Sequence, residues 1–118
     1  MVQHRRIALV SDDLMFDSRL RAALGPGGVA LTTDGGDEVG DTEMVFVDLN
    51  RDQQRRLEVI TGLRRSRPTA TIIGFCHHGE RQLRIEAMAR GASQVVTNGS
   101  VPAVALRLLG LDSDGPPR

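Results

Sequence analysis

Two short clusters of acids and amides stand out because each directly follows an apolar run. Ser11-Asp12-Asp13 comes after Ile7-Ala8-Leu9-Val10, and Asp48-Leu49-Asn50 comes after Met44-Val45-Phe46-Val47. Carboxylates brought together repel one another unless a cation compensates them. A hard divalent ion such as Mg²⁺ takes carboxylates, a backbone carbonyl and waters in octahedral geometry. Left apart, the same residues are ordinary solvated loop acids, so the chemistry depends on how the two runs are arranged. Other reactive types give weaker signals. Cys76 is the single cysteine, and the sequence around it offers no evident His–acid pair to activate a thiol. His77 and His78 are metal-ligand types, but adjacent residues seldom point at one ion, and a solvated loop is the simpler reading. Gly25-Pro26-Gly27-Gly28 lacks the Lys-Ser/Thr ending of a phosphate loop and follows a helical pattern, not a strand. The acids between Asp34 and Glu43 do not have the spacing of a calcium loop. Arg64-Arg65-Ser66-Arg67 is a basic run near a helix end, where cations complement the helix dipole.

The elements that must position these residues are legible as periodicity. Ile7–Val10, Met44–Val47, Ile72–Phe75 and Val95-Val96 are continuous apolar runs, the pattern of strands buried on both faces of a parallel sheet. A fifth run, 29–33, is more polar and suits an edge strand. Strands are expected near 6–10, 29–33, 44–48, 71–75 and 94–97. Between them, Phe16, Leu20 and Leu24 recur at helical spacing and stop at Gly25-Pro26. Leu57, Ile60 and Leu63 form a second stripe, and Leu83, Ala87 and Met88 a third, with Gly91 placed as a C-terminal cap. Ser100 is positioned to cap a last helix carrying Pro102 in its first turn and Val104, Ala105 and Leu108 inward. Residues 34–43 hold three glycines, several acids and little that is apolar, so a full helix there could not bury a face. Strands alternating with helices imply right-handed crossovers and a doubly wound α/β sheet.

Bulk properties narrow the function classes. At 118 residues and 40% hydrophobic, the chain can form one core; residues 1–112 are expected to form a single domain and 113–118 a flexible tail. Fifteen acids balance fifteen basic residues, all of them Arg, which argues against a dedicated nucleic-acid binder. Tyr and Trp are absent and there are three Phe, too few for base-stacking platforms. One cysteine and no long apolar stretch suit a reducing, cytoplasmic setting without a membrane span.

Read in order from Arg6 to about Leu109, the chain resembles a response-regulator receiver domain of two-component signalling. The resemblance implies a flavodoxin-like five-stranded parallel sheet of order 2-1-3-4-5, here with the second helix shortened or absent. It puts the ligand crevice at the carboxyl ends of strands one and three. Receivers carry an acidic pair after strand one, a phosphorylated Asp after strand three and a metal-binding carbonyl two residues later. The matching residues are Asp48 as phosphoacceptor and Asn50 for the carbonyl. The register that points Phe16, Leu20 and Leu24 at the core puts the acidic pair on Ser11-Asp12. Asp12 is then the direct metal ligand, Ser11 replaces one acid, and Asp13 completes the acidic pocket.

Other signature positions depart from the family pattern. The strand-four Thr or Ser that binds the phosphoryl group is Cys76, the strand-five Lys is Asn98, and the aromatic switch residue three positions earlier is Val95. The family-like proline after the phosphoacceptor loop is missing, since Arg51-Asp52 stands there. A phosphoryl group brings nearly two negative charges. An amide donates without charge, and a thiol donates weakly. Hydrogen bonds to charged groups contribute about 1.5–3 kcal/mol each, so losing both weakens the coupling of phosphorylation to conformation roughly ten- to thousandfold.

The expected function is therefore a non-enzymatic, atypical receiver acting as a protein-interaction module, with Mg²⁺ bound weakly through Asp12, Asp48 and Asn50. Its partner would be a histidine kinase or a downstream effector, with no direct nucleic acid or membrane contact and a homodimer as one available form. The face around Leu83, Met88, Val104 and Leu108 is the expected contact surface. The alternatives are a conventional regulator phosphorylated on Asp48 and a small flavodoxin-like enzyme or nucleotide binder using the same crevice.

Overall fold

The apolar runs pair into one parallel sheet, and its strand order decides where the acids meet. Residues 6–33, 39 and 42–110 are described by a computed structural model. Strand β1 (Ile7–Val10) lies between β2 (Val29–Thr32) and β3 (Met44–Asp48), followed by β4 (Thr71–Cys76) and β5 (Gln94–Thr97). The order is β2-β1-β3-β4-β5. Every ladder is parallel, with Val10 opposite both Thr32 and Val47, and Asp48 opposite Phe75. All five strands fall where the periodicity puts them, and the more polar β2 is at an edge.

Successive residues of each strand point to opposite faces, so each apolar run feeds two cores. On one face, Ile7, Leu9, Phe46, Ile73 and Phe75 cluster with Phe16 and Leu20 of α1 (Leu14–Leu24) and Val101, Val104 and Ala105 of α4 (Val101–Leu108). Phe16 and Phe75 pack with ring centroids 4.7 Å apart at 58°. On the other face, Ala8, Val10, Val45, Val47, Ile72 and Cys76 cluster with Leu57, Ile60 and Leu63 of α2 (Gln53–Ser66) and Leu83 and Ala87 of α3 (Arg81–Arg90). The helix ends obey local chemistry. Asp13 caps α1 by accepting the Met15 N–H at 2.9 Å. Gly25 (φ 91°) and Gly91 (φ 120°) end α1 and α3 in a backbone region that side chains disfavour.

Two local expectations are corrected. Met88 is 48% exposed, because it lies roughly 140° around the helix from Leu83 at 100° per residue, whereas Ala87 lies within about 40°. Ser100 occupies the cap position of α4 but makes no cap hydrogen bond. Residues Asn98–Ser100 coil into a 3₁₀ turn, and the Ser100 hydroxyl turns back to donate to the Thr97 carbonyl at 2.9 Å. A cap needs extended backbone, whereas Ser100 has φ −94° and ψ 0°.

The described residues hold four α-helices, and none of them is long and apolar enough to cross a membrane. The shortened or absent second helix expected within 34–43 falls mostly on residues outside the described set, as does the tail at 113–118.

Candidate functional site

Strands β1 and β3 are neighbours, but the chain leaves them toward opposite faces, into α1 and α2. That divergence opens a crevice at their carboxyl ends, the place where open α/β sheets bind ligands. The crevice has a volume of about 320 Å³, and its walls include Asp12, Asp13, Leu14, Asp48, Asn50 and Arg56.

Asp48 ends β3 and is 3% exposed, so its carboxylate depends on protein donors. Ser11, itself buried, donates its hydroxyl to Asp48 Oδ2 at 2.6 Å and accepts the Asp13 N–H at 2.9 Å. Asp48 Oδ1 accepts the Asn50 backbone N–H at 2.9 Å and the Asn50 side-chain Nδ2 at 2.7 Å. The same Asn50 amide exchanges bonds with Asn98 beyond β5: Asn50 Nδ2 donates to Asn98 Oδ1 at 2.9 Å, and Asn98 Nδ2 donates to Asn50 Oδ1 at 3.1 Å. A chain of hydrogen bonds therefore runs from Ser11 through Asp48 and Asn50 to Asn98, across the carboxyl ends of β1, β3 and β5.

The loop that holds Asp48 is pinned from beneath. Leu49 is fully buried, and its N–H donates to the Phe75 carbonyl at 2.9 Å. Its side chain lies over Gly74, where a Cβ would come within 2.8 Å of Leu49 Cδ1. Glycine at 74 is the room that Leu49 needs. Past the loop, Asp52 takes a left-handed conformation (φ 51°, ψ 47°). A proline cannot adopt that φ, so this backbone could not hold the family-like proline at 52.

Arg56, one arginine among fifteen, is also part of the site. Its side chain is 1% exposed, yet it carries a charge and sits near the start of α2. Nη1 donates to the carbonyls of Asp48 (3.0 Å) and Val10 (3.3 Å), and Nη2 pairs with Asp12 Oδ2 at 3.2 Å. Nε has no acceptor among the described residues. A signal was present: Arg56 stands four and seven residues before Ile60 and Leu63, on the stripe that faces the core.

The structure thus brings together Ser11, Asp12, Asp13, Asp48, Asn50 and Asn98 of the expected residues. It does not bring in Cys76 or Val95. Cys76 is buried with Leu83 and Ala87 under α2 and α3, and Val95 packs half-buried against the same cluster. Burial pushes the Cys76 thiol above its ordinary range; the charge of Arg84 opposes this and that of Glu80 adds to it. No group of three or more His, Cys, Asp and Glu side chains suited to holding a metal occurs among the described residues, so His77 and His78 build no such centre. In the basic run, Arg64 donates to the carbonyls of Gly91, Arg67, Pro68 and Ala70, and Arg67 donates to that of Thr42. These two cations hold the end of α2 in place.

No family model matches the sequence, and no curated protein matches it. Solved structures do. The beryllofluoride-activated DrrB receiver domain superposes with a TM-score of 0.75 at 20% identity, covering 96% of this chain and all of the other. A CheY-like protein, TadZ, from Pseudomonas aeruginosa PAO1 gives 0.74 at 19% identity over 90% of this chain and 99% of that one. The receiver domain of NtrX from Brucella abortus gives 0.72 at 14% identity over 92% and 99%. The chain has the fold of response-regulator receiver domains.

Proposed function

We propose that this chain is an atypical receiver: a non-enzymatic, cytoplasmic signalling module that acts through protein contact, with Asp48 at the phosphoacceptor position and a weakened phosphorylation switch. The observation that carries the reading is the pairing of Asn98 with Asn50. At the position where receivers present a lysine to the phosphoryl group, this chain has an uncharged amide already committed to a neighbour. The other switch position, Cys76, is buried in the core with a weakly donating thiol. A ligand shifts a conformational equilibrium only through contacts that differ between the two states, and here few groups can make such contacts.

The partner is a histidine kinase or a downstream effector. The surface formed by α3, β5 and α4 offers Ile85 (51% exposed) and Met88 (48%) as apolar contacts, whereas Leu83 and Val104 are buried and serve the core. Mg²⁺ at Asp12, Asp48 and the Asn50 carbonyl is weak, because Asp12 is paired with Arg56 and both Asp48 oxygens already accept hydrogen bonds.

Intact-mass analysis after incubation with a small phosphodonor and Mg²⁺ tests the reading, with Asp48→Asn as control. Little or no phosphoryl adduct is expected. Rapid, near-complete modification of the wild type that Asp48→Asn abolishes would favour the conventional regulator.

A further inference from the structure

We propose that the Arg56 guanidinium takes the role of the divalent cation in the Asp48 crevice, so that the site is charge-compensated by the chain itself and does not depend on Mg²⁺. The donor set supports this. A hard cation in such a crevice takes carboxylate and carbonyl oxygens. Arg56 takes one carboxylate, Asp12 at 3.2 Å, and two main-chain carbonyls at strand ends, Asp48 at 3.0 Å and Val10 at 3.3 Å. Those carbonyls terminate β3 and β1, the two strands whose divergence makes the crevice. The contacts come from a side chain 1% exposed, so they are built into the fold and are not a chance surface pairing.

Two further observations separate this role from simple helix packing. Cations are disfavoured at helix N-termini by the dipole, yet the first turn of α2 carries no acid and Arg56 follows immediately. Its burial therefore needs another source of compensation, which the carbonyls and Asp12 provide. Arg56 also stands on the apolar stripe with Ile60 and Leu63, where an uncharged side chain would pack without desolvating a guanidinium. The arrangement serves Asp12 and the two strand-end carbonyls and not the helix.

A resident guanidinium and an incoming divalent ion exclude each other. Both need Asp12, and their like charges repel. A unit and a double charge a few ångström apart repel enough, even in water, to weaken binding by about tenfold or more. The residues present thus do not fit a conventional receiver metal site. Resting on the receiver reading only for the choice of crevice, the proposal concerns the ion and not phosphoryl transfer.

The test is a Mg²⁺ titration of the full chain followed by amide NMR, with no phosphodonor present, for wild type, Arg56→Met and Arg56→Lys. Saturable shifts at residues 12, 48 and 50 are expected in Arg56→Met, with apparent affinity about tenfold or more above wild type, and Arg56→Lys should behave as wild type. Wild type that saturates as readily as Arg56→Met, or a folded Arg56→Met that binds no better than wild type, overturns the proposal. Should Arg56→Met fail to fold, the wild-type titration decides alone: shifts at the three residues that saturate at low Mg²⁺ overturn the proposal, and shifts that are absent or still rising at high Mg²⁺ support it. Because no phosphoryl group is involved, failure here leaves the mass-spectrometric test of the proposed function standing, and the reverse also holds.

Discussion

Asn50 and Asn98 hold each other by two amide hydrogen bonds, 2.9 and 3.1 Å long, across the gap between the β3 and β5 loops. The pair joins segments 48 residues apart in sequence and sets the Asn50 amide that also donates to Asp48 at 2.7 Å. A lysine in this place would bring a positive charge; the asparagine brings an uncharged crosslink.

Removing that crosslink has a measurable cost. Asn98→Ala deletes both bonds and leaves the Asn50 amide to find water, an expected loss of about 1–3 kcal/mol. Asn98→Lys loses the same bonds but returns a cation to the crevice, so it is expected to raise the yield of phosphoryl adduct at Asp48 above that of Asn98→Ala. Urea denaturation and intact-mass analysis of the two variants check these outcomes; equal stability of Asn98→Ala and wild type would show that the pair holds nothing.

Gly74 and Leu49 form a second dependent pair. A Cβ at 74 falls 2.8 Å from Leu49 Cδ1, so Gly74→Ala must push Leu49 out of its seat beneath Asp48. Overpacking of this kind costs about 1–3 kcal/mol. In Leu49→Ala/Gly74→Ala the clash is relieved, and the two losses should be less than additive in a double-mutant cycle. Strict additivity would mean the contact does not set the loop.

Much of this was readable from sequence, for a specific reason. Strands buried on both faces give unbroken apolar runs, so Ile7–Val10 and Met44–Val47 announced the sheet, and the acids directly after them fell at its carboxyl edge. What failed to show was what depends on direction in space. Arg56 is one of fifteen arginines, and only its phase relative to Ile60 and Leu63 betrays that it points inward. Met88 was misplaced by the same kind of phase error in reverse. The Asn50–Asn98 pairing was hidden because nothing local in either segment encodes a partner across the sheet.

Cys76 provides a pH signature. Burial raises its pKa in the folded state, so the native chain keeps this proton to higher pH than the unfolded chain does. The resulting stability is fully present below the unfolded thiol value of about 8.5 and is lost as pH rises through the higher folded value. Wild type should therefore lose more stability than Cys76→Ala as pH rises above the ordinary thiol value of about 8.5, by urea denaturation at each pH. Native Cys76 should also alkylate far more slowly than the unfolded thiol. Fast native alkylation at neutral pH would mean a reactive thiolate and would reopen a redox role.

Modification at Asp48 is expected to have little to pull on. Amide NMR spectra of the chain with and without beryllofluoride, recorded in the presence of Mg²⁺, test it most directly. The expected shifts are absent or confined to residues lining the crevice, such as Asp12, Asp13 and Asn50, with α3, β5 and α4 unmoved. Large shifts spreading from Asp48 to residues of α3 and α4 would show a working switch and contradict the account.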